Sequence, residues 1–148
     1  HRWYDQYQVH LTVETEGLAA IAQASRSTPR IAVTYMDNCL DYFIVNDINL
    51  INRENAVRAL NFMGIDEEGL TTADRRIIRT IFDTVQSGSI AGPTLAAILG
   101  ISKDELANQY EPYLISKGYI MKGPGGRSLS DNGFKYISKQ GDKSPCTP

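Results

Sequence analysis

The chain is poor in the residues that build metal centres and disulfide frameworks: its 148 residues include two cysteines, two histidines and one tryptophan. Cys39 falls inside a helical pattern and Cys146 in a polar tail, a placement that matches neither a paired-cysteine scaffold nor a zinc-ligand spacing. A reducing, cytoplasmic setting is expected, with no metal. No apolar run approaches the ~18 residues of a membrane span, and no leader pattern opens the chain, so no membrane partner is expected. His1 and His10 stand apart from the cysteines and from any paired acid. With no nucleophile, acid–base pair or ligand set at usable spacing, these residues do not make a complete enzyme. Charge of one sign is also lacking: the formal net charge of −2 argues neither for nor against a nucleic-acid partner, because a net figure hides its distribution.

That distribution is uneven. Residues 1–66 carry 5 Lys/Arg against 8 Asp/Glu, whereas residues 67–148 carry 10 against 9. The basic stretch is 117–143, with Lys117, Lys122, Arg127, Lys135, Lys139 and Lys143 against Asp131 and Asp142. A hydrophobic share of 42% suits one ordinary domain or two small ones. The opening "HRWYDQY" starts at His1 and reads as the middle of a longer protein.

Periodicity divides the chain into mostly helical segments. "VHLT" (9–12) suits a short extended piece, and Leu18, Ile21 and Ala22 then fall at helical spacing over about 14–25. Val33, Met36, Leu40 and Phe43 share one face of a second helix over about 28–45, with Thr28 at its N-cap and Pro29 at its first position. "NDINLIN" breaks it. A third helix, about 53–63, is expected to bury Val57, Leu60 and Met63 and to end at Gly64. "IDEEGL" (65–70) reads as an acidic hinge between domains spanning 1–66 and 67–140.

Beyond the hinge, Ala73, Ile77, Ile78, Ile81, Phe82 and Val85 mark a further helix. A brief helix over about 93–99 follows, ended by Gly100. Ser102 and Glu105 form a capping box for a helix that points Leu106, Tyr110 and Leu114 inward, with Pro112 expected to kink or restart it. "GYIMKGPGGRSLS" reads as two short strands around a turn, and Ser130 as the cap of a last helix through Tyr136. The closing segment "KQGDKSPCTP", with 141–148 as its tail, is expected to be disordered. Helix, turn, helix, longer helix and a basic-tipped hairpin is the order of a winged-helix module, whose ordinary use is nucleic-acid binding.

Two places carry candidate chemistry. Arg30 lies in the first turn of its helix, where unpaired amides and the helix dipole favour an anion, so a phosphate site is one reading. A surface ion pair with Glu14 or Glu16 is the other. "GPGGR" (123–127) lacks the lysine and hydroxyl of a phosphate-binding loop and joins strands, so it reads as a hairpin turn. Its flanking Lys122 and Arg127 could reach DNA phosphates or a minor groove, or simply solvate the turn. Tyr110, Tyr113 and Tyr119 are placed for packing more than for base stacking.

"ASRSTPRIA", "GIDEEGLTTADRRIIRTI", "GPTLAAILG", "YEPYLISKGYI" and the Gly-Arg wing together resemble the RuvB family, ATP-driven motors that migrate Holliday junctions. The resemblance covers about residues 9–138 and looks like the C-terminal two-thirds of the family's chain. It implies a mainly α fold in which a small helical AAA+ lid, its first helix cut short, precedes a winged-helix domain. It makes Arg30 the sensor arginine that reaches the nucleotide phosphates, with Pro29 fixing the turn from which it projects, and it makes Lys122 and Arg127 DNA contacts. ATP and Mg²⁺ would belong to the intact motor, a hexameric ring, and RuvA would dock on its large ATPase domain. The segment alone is expected neither to bind these cofactors nor to hydrolyse ATP.

Two departures from the family pattern stand out. The family's arginine-rich helix after the sensor here reads "VTYMDNCLDYF", with Asp37, Asn38 and Asp41. The family's Thr-Pro-Arg-Gly-Arg wing here reads Gly123, Pro124, Gly125, Gly126, Arg127, so one expected DNA-contacting arginine is Gly125. About three phosphate contacts imply a slope of log affinity against log salt near −3. The rival expectation is a non-enzymatic winged-helix regulator or adaptor, which would prefer one DNA sequence and dimerise.

Overall fold

The computed structural model describes residues 10–85 and 88–141. The expectations placed on "HRWYDQY" and on the tail from Asp142 lie outside those residues. The chain forms two compact units, His1–Thr72 and Ala73–Pro148.

In the first unit, β1 (Thr12–Val13) leads into α1 (Thr15–Ala24), α2 (Pro29–Val45), β2 (Leu50–Ile51) and α3 (Arg53–Phe62). The strands pair in parallel, Thr12 with Leu50 and Val13 with Ile51. Asn52 caps α3 by accepting from the Asn55 amide at 2.9 Å. Gly64 follows that helix at φ 77°, the left-handed conformation expected of a residue ending a helix.

The core face of α1 differs from the one expected. Gly17, Ala20, Ile21 and Ala24 are buried, while Leu18 is 41% exposed and Ala22 is also exposed. The reason is backbone proximity. A Cβ on Gly17 would stand 2.9 Å from the Ile51 carbonyl carbon, so α1 can approach the β2 backbone this closely only at a glycine. The facing residues of α3, Ala56 and Ala59, are small as well, and Val57 and Met63 are only partly buried beside Leu60. Likewise α2 buries Cys39 and Phe43 and leaves Val33 61% exposed.

The second unit comprises α4 (Thr72–Val85), α5 (Gly92–Leu99), α6 (Lys103–Glu105), a π-helical turn (Leu106–Tyr110), α7 (Glu111–Ser116), β3 (Ile120–Gly123), β4 (Gly126–Leu129) and α8 (Asp131–Gly141). Ile77, Ile78, Ile81, Leu95, Leu99, Leu106, Leu114 and Ile120 form its interior. Phe82 of α4 meets Phe134 of α8 edge-on, with ring centroids 6.1 Å apart. Gly100 ends α5 in the left-handed conformation. Ser102 accepts from the Glu105 amide at 3.0 Å, and Ser130 from the Gly133 amide at 3.1 Å, so both serines cap as expected. The last helix runs on through Lys139 to Gly141, beyond the expected stop at Tyr136, since Tyr136 and Ile137 are both buried and anchor it.

Candidate nucleic-acid interface

The hairpin is built by β3 and β4, antiparallel, with Lys122 opposite Arg127 and Gly123 opposite Gly126. Like charges directly opposite each other destabilise a ladder. The missing counter-charge comes from the preceding helix. Glu111 is 2% exposed in its side chain and accepts from Arg127 Nε at 2.6 Å and from Arg127 Nη2 at 3.1 Å, a bidentate pair. Lys122 Nζ lies 3.6 Å from Glu111 Oε2. The two contacts differ in weight. Arg127 is 12% exposed and held by two charge-assisted bonds, whereas Lys122 is 52% exposed and its pairing is screened by water.

Glu111 faces inward because the helix changes pitch just before it. Pro112 has no amide to donate and its ring crowds the carbonyl four residues earlier, which an uninterrupted α-helix does not tolerate. The chain answers with a π turn over Leu106–Tyr110, in which the Glu111 amide bonds to the Leu106 carbonyl five residues back. Residues 106 and 111 thereby come onto one side, and the inward face runs Leu106, Glu111, Leu114, with Tyr110 only partly buried. Sequence periodicity missed Glu111 because it counts in α-helical turns. The signal that could have found it is the adjacent proline.

The base of the wing is tied down on a second side. Ile90 and Arg127 exchange both backbone hydrogen bonds, at 2.8 and 2.7 Å, which adds a short third strand position to the hairpin. The Ser89 hydroxyl donates to the Gly125 carbonyl at 3.0 Å, and a Cβ at Gly125 would stand 2.7 Å from that hydroxyl. The glycine at 125 therefore suits a wing tip pressed close to Ser89. Tyr119 packs against Tyr136, with ring centroids 5.6 Å apart, in the packing role expected of it.

Arg30 belongs to the first unit. Thr28 and Pro29 open α2, so Arg30 is the second helical residue, and both Pro29 and Arg30 are exposed. The turn before them is tight: Arg26 and Ser27 take φ of 59° and 56°. The Thr28 hydroxyl donates back to the Arg26 carbonyl at 3.4 Å instead of capping the helix. Among the described residues Arg30 makes no ion pair with Glu14 or Glu16, the alternative its position allowed.

Comparison with known proteins follows the same division. Residues 7–66 match the RuvB AAA lid domain, and residues 67–138 match the RuvB C-terminal winged helix domain. The chain belongs to the RuvB family. It is 35% identical over 129 residues to the RuvB subunit of the Holliday junction branch migration complex of Clostridium kluyveri, covering 87% of this chain and 37% of that protein. To the Thermotoga maritima RuvB it is 36% identical over 129 residues, covering 86% of this chain and 39% of that one. The solved structure of the Thermotoga maritima RuvB branch migration motor superposes with a TM-score of 0.80 at 31% identity, over 91% of this chain and 45% of that chain. The chain thus spans less than two-fifths of the curated relatives' length, a smaller share than the two-thirds expected. Among the described residues no helix is long and apolar enough to cross a membrane.

Proposed function

We propose that the chain serves as the nucleotide-sensing lid and the DNA-gripping winged helix of a branch-migration motor of the cytoplasm. The observation that carries this reading is the pairing, in one RuvB-family chain, of an exposed Arg30 in the first turn of α2 with an exposed Lys122 on the wing. A guanidinium beside unpaired helix amides fits a phosphate, so Arg30 and the first turn of α2 would hold the nucleotide's phosphates from the lid side. ATP would supply the free energy of phosphate cleavage. The lid contributes contacts that exist only while the phosphates are present, and losing them relaxes its angle. The P-loop, the Mg²⁺ site, the hexameric ring and RuvA docking belong in this reading to a large ATPase domain beyond these two.

Lys122 supports sequence-independent binding, because a single exposed ammonium near a phosphate has no means of reading base edges. The deciding experiment is a fluorescence titration of the chain against a four-way junction and two duplexes of unrelated sequence, at several salt concentrations. Similar affinity across the duplexes, falling as salt rises, supports the motor reading. Strong preference for one duplex, together with dimerisation, would favour a winged-helix regulator, and the exposed polar face of α2 at Asp37, Asn38 and Asp41 would then be its docking surface.

A further inference from the structure

The wing carries two basic residues that face one another, and the geometry separates their roles. Arg127 is almost fully withdrawn from solvent, and both of its bonding nitrogens are taken by the Glu111 carboxylate. Its backbone is paired with Ile90 on the other side. Gly92 completes the enclosure, because a Cβ there would lie 2.6 Å from Arg127 Cζ. Lys122, by contrast, keeps half its side chain in water and touches Glu111 at a distance where a phosphate can replace it.

We infer that Glu111 is a positioning residue for the wing: it holds Arg127 as an internal post on which the hairpin is mounted, leaving Lys122 as the charge presented to DNA. Glu111 occupies the place a phosphate would take on Arg127. Moving Arg127 to DNA would leave a buried carboxylate opposed only by Lys122, an arrangement that costs more than one exposed phosphate contact returns. The binding arm of this inference rests on the DNA reading above. The folding arm does not.

The test compares Arg127→Met, the double variant Glu111→Gln/Arg127→Met, Arg127→Lys and Lys122→Ala, by thermal melting and by the salt slope of binding to a duplex. Arg127→Met is expected to melt well below the unchanged chain, and the double variant to recover most of that loss, since it no longer buries a carboxylate opposed only by Lys122. The double variant should bind more weakly with the salt slope retained, whereas Lys122→Ala should make the slope shallower by about 0.9. Arg127→Lys keeps the charge but loses the fork, and a several-fold loss of affinity at constant slope is expected. Binding by Arg127→Lys equal to that of the unchanged chain, or a slope shallower by about 0.9 in the double variant, overturns the assignment. If the unchanged chain shows no salt-dependent binding, the DNA reading fails by itself. Melting then decides the positioning role: a double variant more stable than Arg127→Met upholds it, and one equally or less stable removes it.

Discussion

Gly92 opens the space that the Arg127 guanidinium fills. A Cβ built at Gly92 falls 2.6 Å from Arg127 Cζ and 3.0 Å from Nη2, far inside ordinary contact. Because the guanidinium is fixed by Glu111 on its other side, it cannot move away without breaking the pair. Gly92→Ala is therefore expected to destabilise the winged-helix unit by about 1–3 kcal/mol, the usual range for overpacking. In an Arg127→Met background the same substitution should lose most of that effect, which denaturant melts of the four chains will reveal. Equal losses in both backgrounds would refute the coupling.

The turn that leads to Arg30 stores backbone strain. Arg26 and Ser27 both occupy the left-handed region, which an L-residue enters at a penalty of roughly 1 kcal/mol. Ser27 is exposed, so Ser27→Gly should stabilise the lid unit by up to about 1 kcal/mol, offset in part by the greater freedom of glycine in the unfolded chain. An unchanged or lower denaturant midpoint would count against strain at this position.

Gly69 is held close to the same turn. It lies at φ 78°, its carbonyl accepts from Arg26 Nε at 3.2 Å, and a Cβ on it would stand 2.8 Å from the Ala24 carbonyl oxygen. Gly69→Ala combines a disfavoured conformation with a backbone clash and should cost about 1–3 kcal/mol, measured as a drop in the denaturant midpoint. A midpoint equal to that of the unchanged chain would mean that the 66–70 segment is not anchored to α1.

With Arg127 internal, DNA binding should depend on salt less steeply than sequence reasoning implied. Of the roughly three contacts first expected, Arg127 is withdrawn, and a slope near −2 is expected in place of −3, carried by Lys122 and one cation outside the wing. Anisotropy titrations between low and physiological salt would measure it, and a slope at or beyond −3 would require Arg127 or an unidentified cation to reach the phosphates.

Burial pushes the Cys39 thiol from its ordinary value of 9.0 up to about 11. The side chain is wholly enclosed between the helices of the lid unit, so the folded state disfavours the thiolate. The unfolded chain deprotonates first as pH rises, so the contribution is intact below pH 9 and lost between about 9 and 11. Its full size is on the order of 2–3 kcal/mol. Denaturant midpoints across that window should fall more steeply for the native chain than for Cys39→Ala, and matched curves would exclude the effect.

Local chemistry made much of this protein readable in advance. Thr28-Pro29, Gly64, Gly100, Ser102 and Ser130 punctuate helices through rules that act within a few residues, and the structure has helix boundaries at or beside each of them. The hairpin was equally legible, because Pro124 and the glycines around it leave the chain little else to do. Faces were harder. Leu18 and Val33 are apolar and in helical phase, yet they lie outward because Gly17 and Cys39 mark where the backbones and side chains actually meet.

What the sequence determined by itself was the order of elements and the two family domains they compose, since turns, caps and periodicity are properties of neighbouring residues. Whether Arg127 faces solvent or protein was decided only by tertiary structure. That outcome depends on a carboxylate 16 residues away in the chain, turned inward by one π turn. Periodicity counts along a single helix and cannot register a change of pitch, nor can it see across a hairpin to the charge that another element has already neutralised.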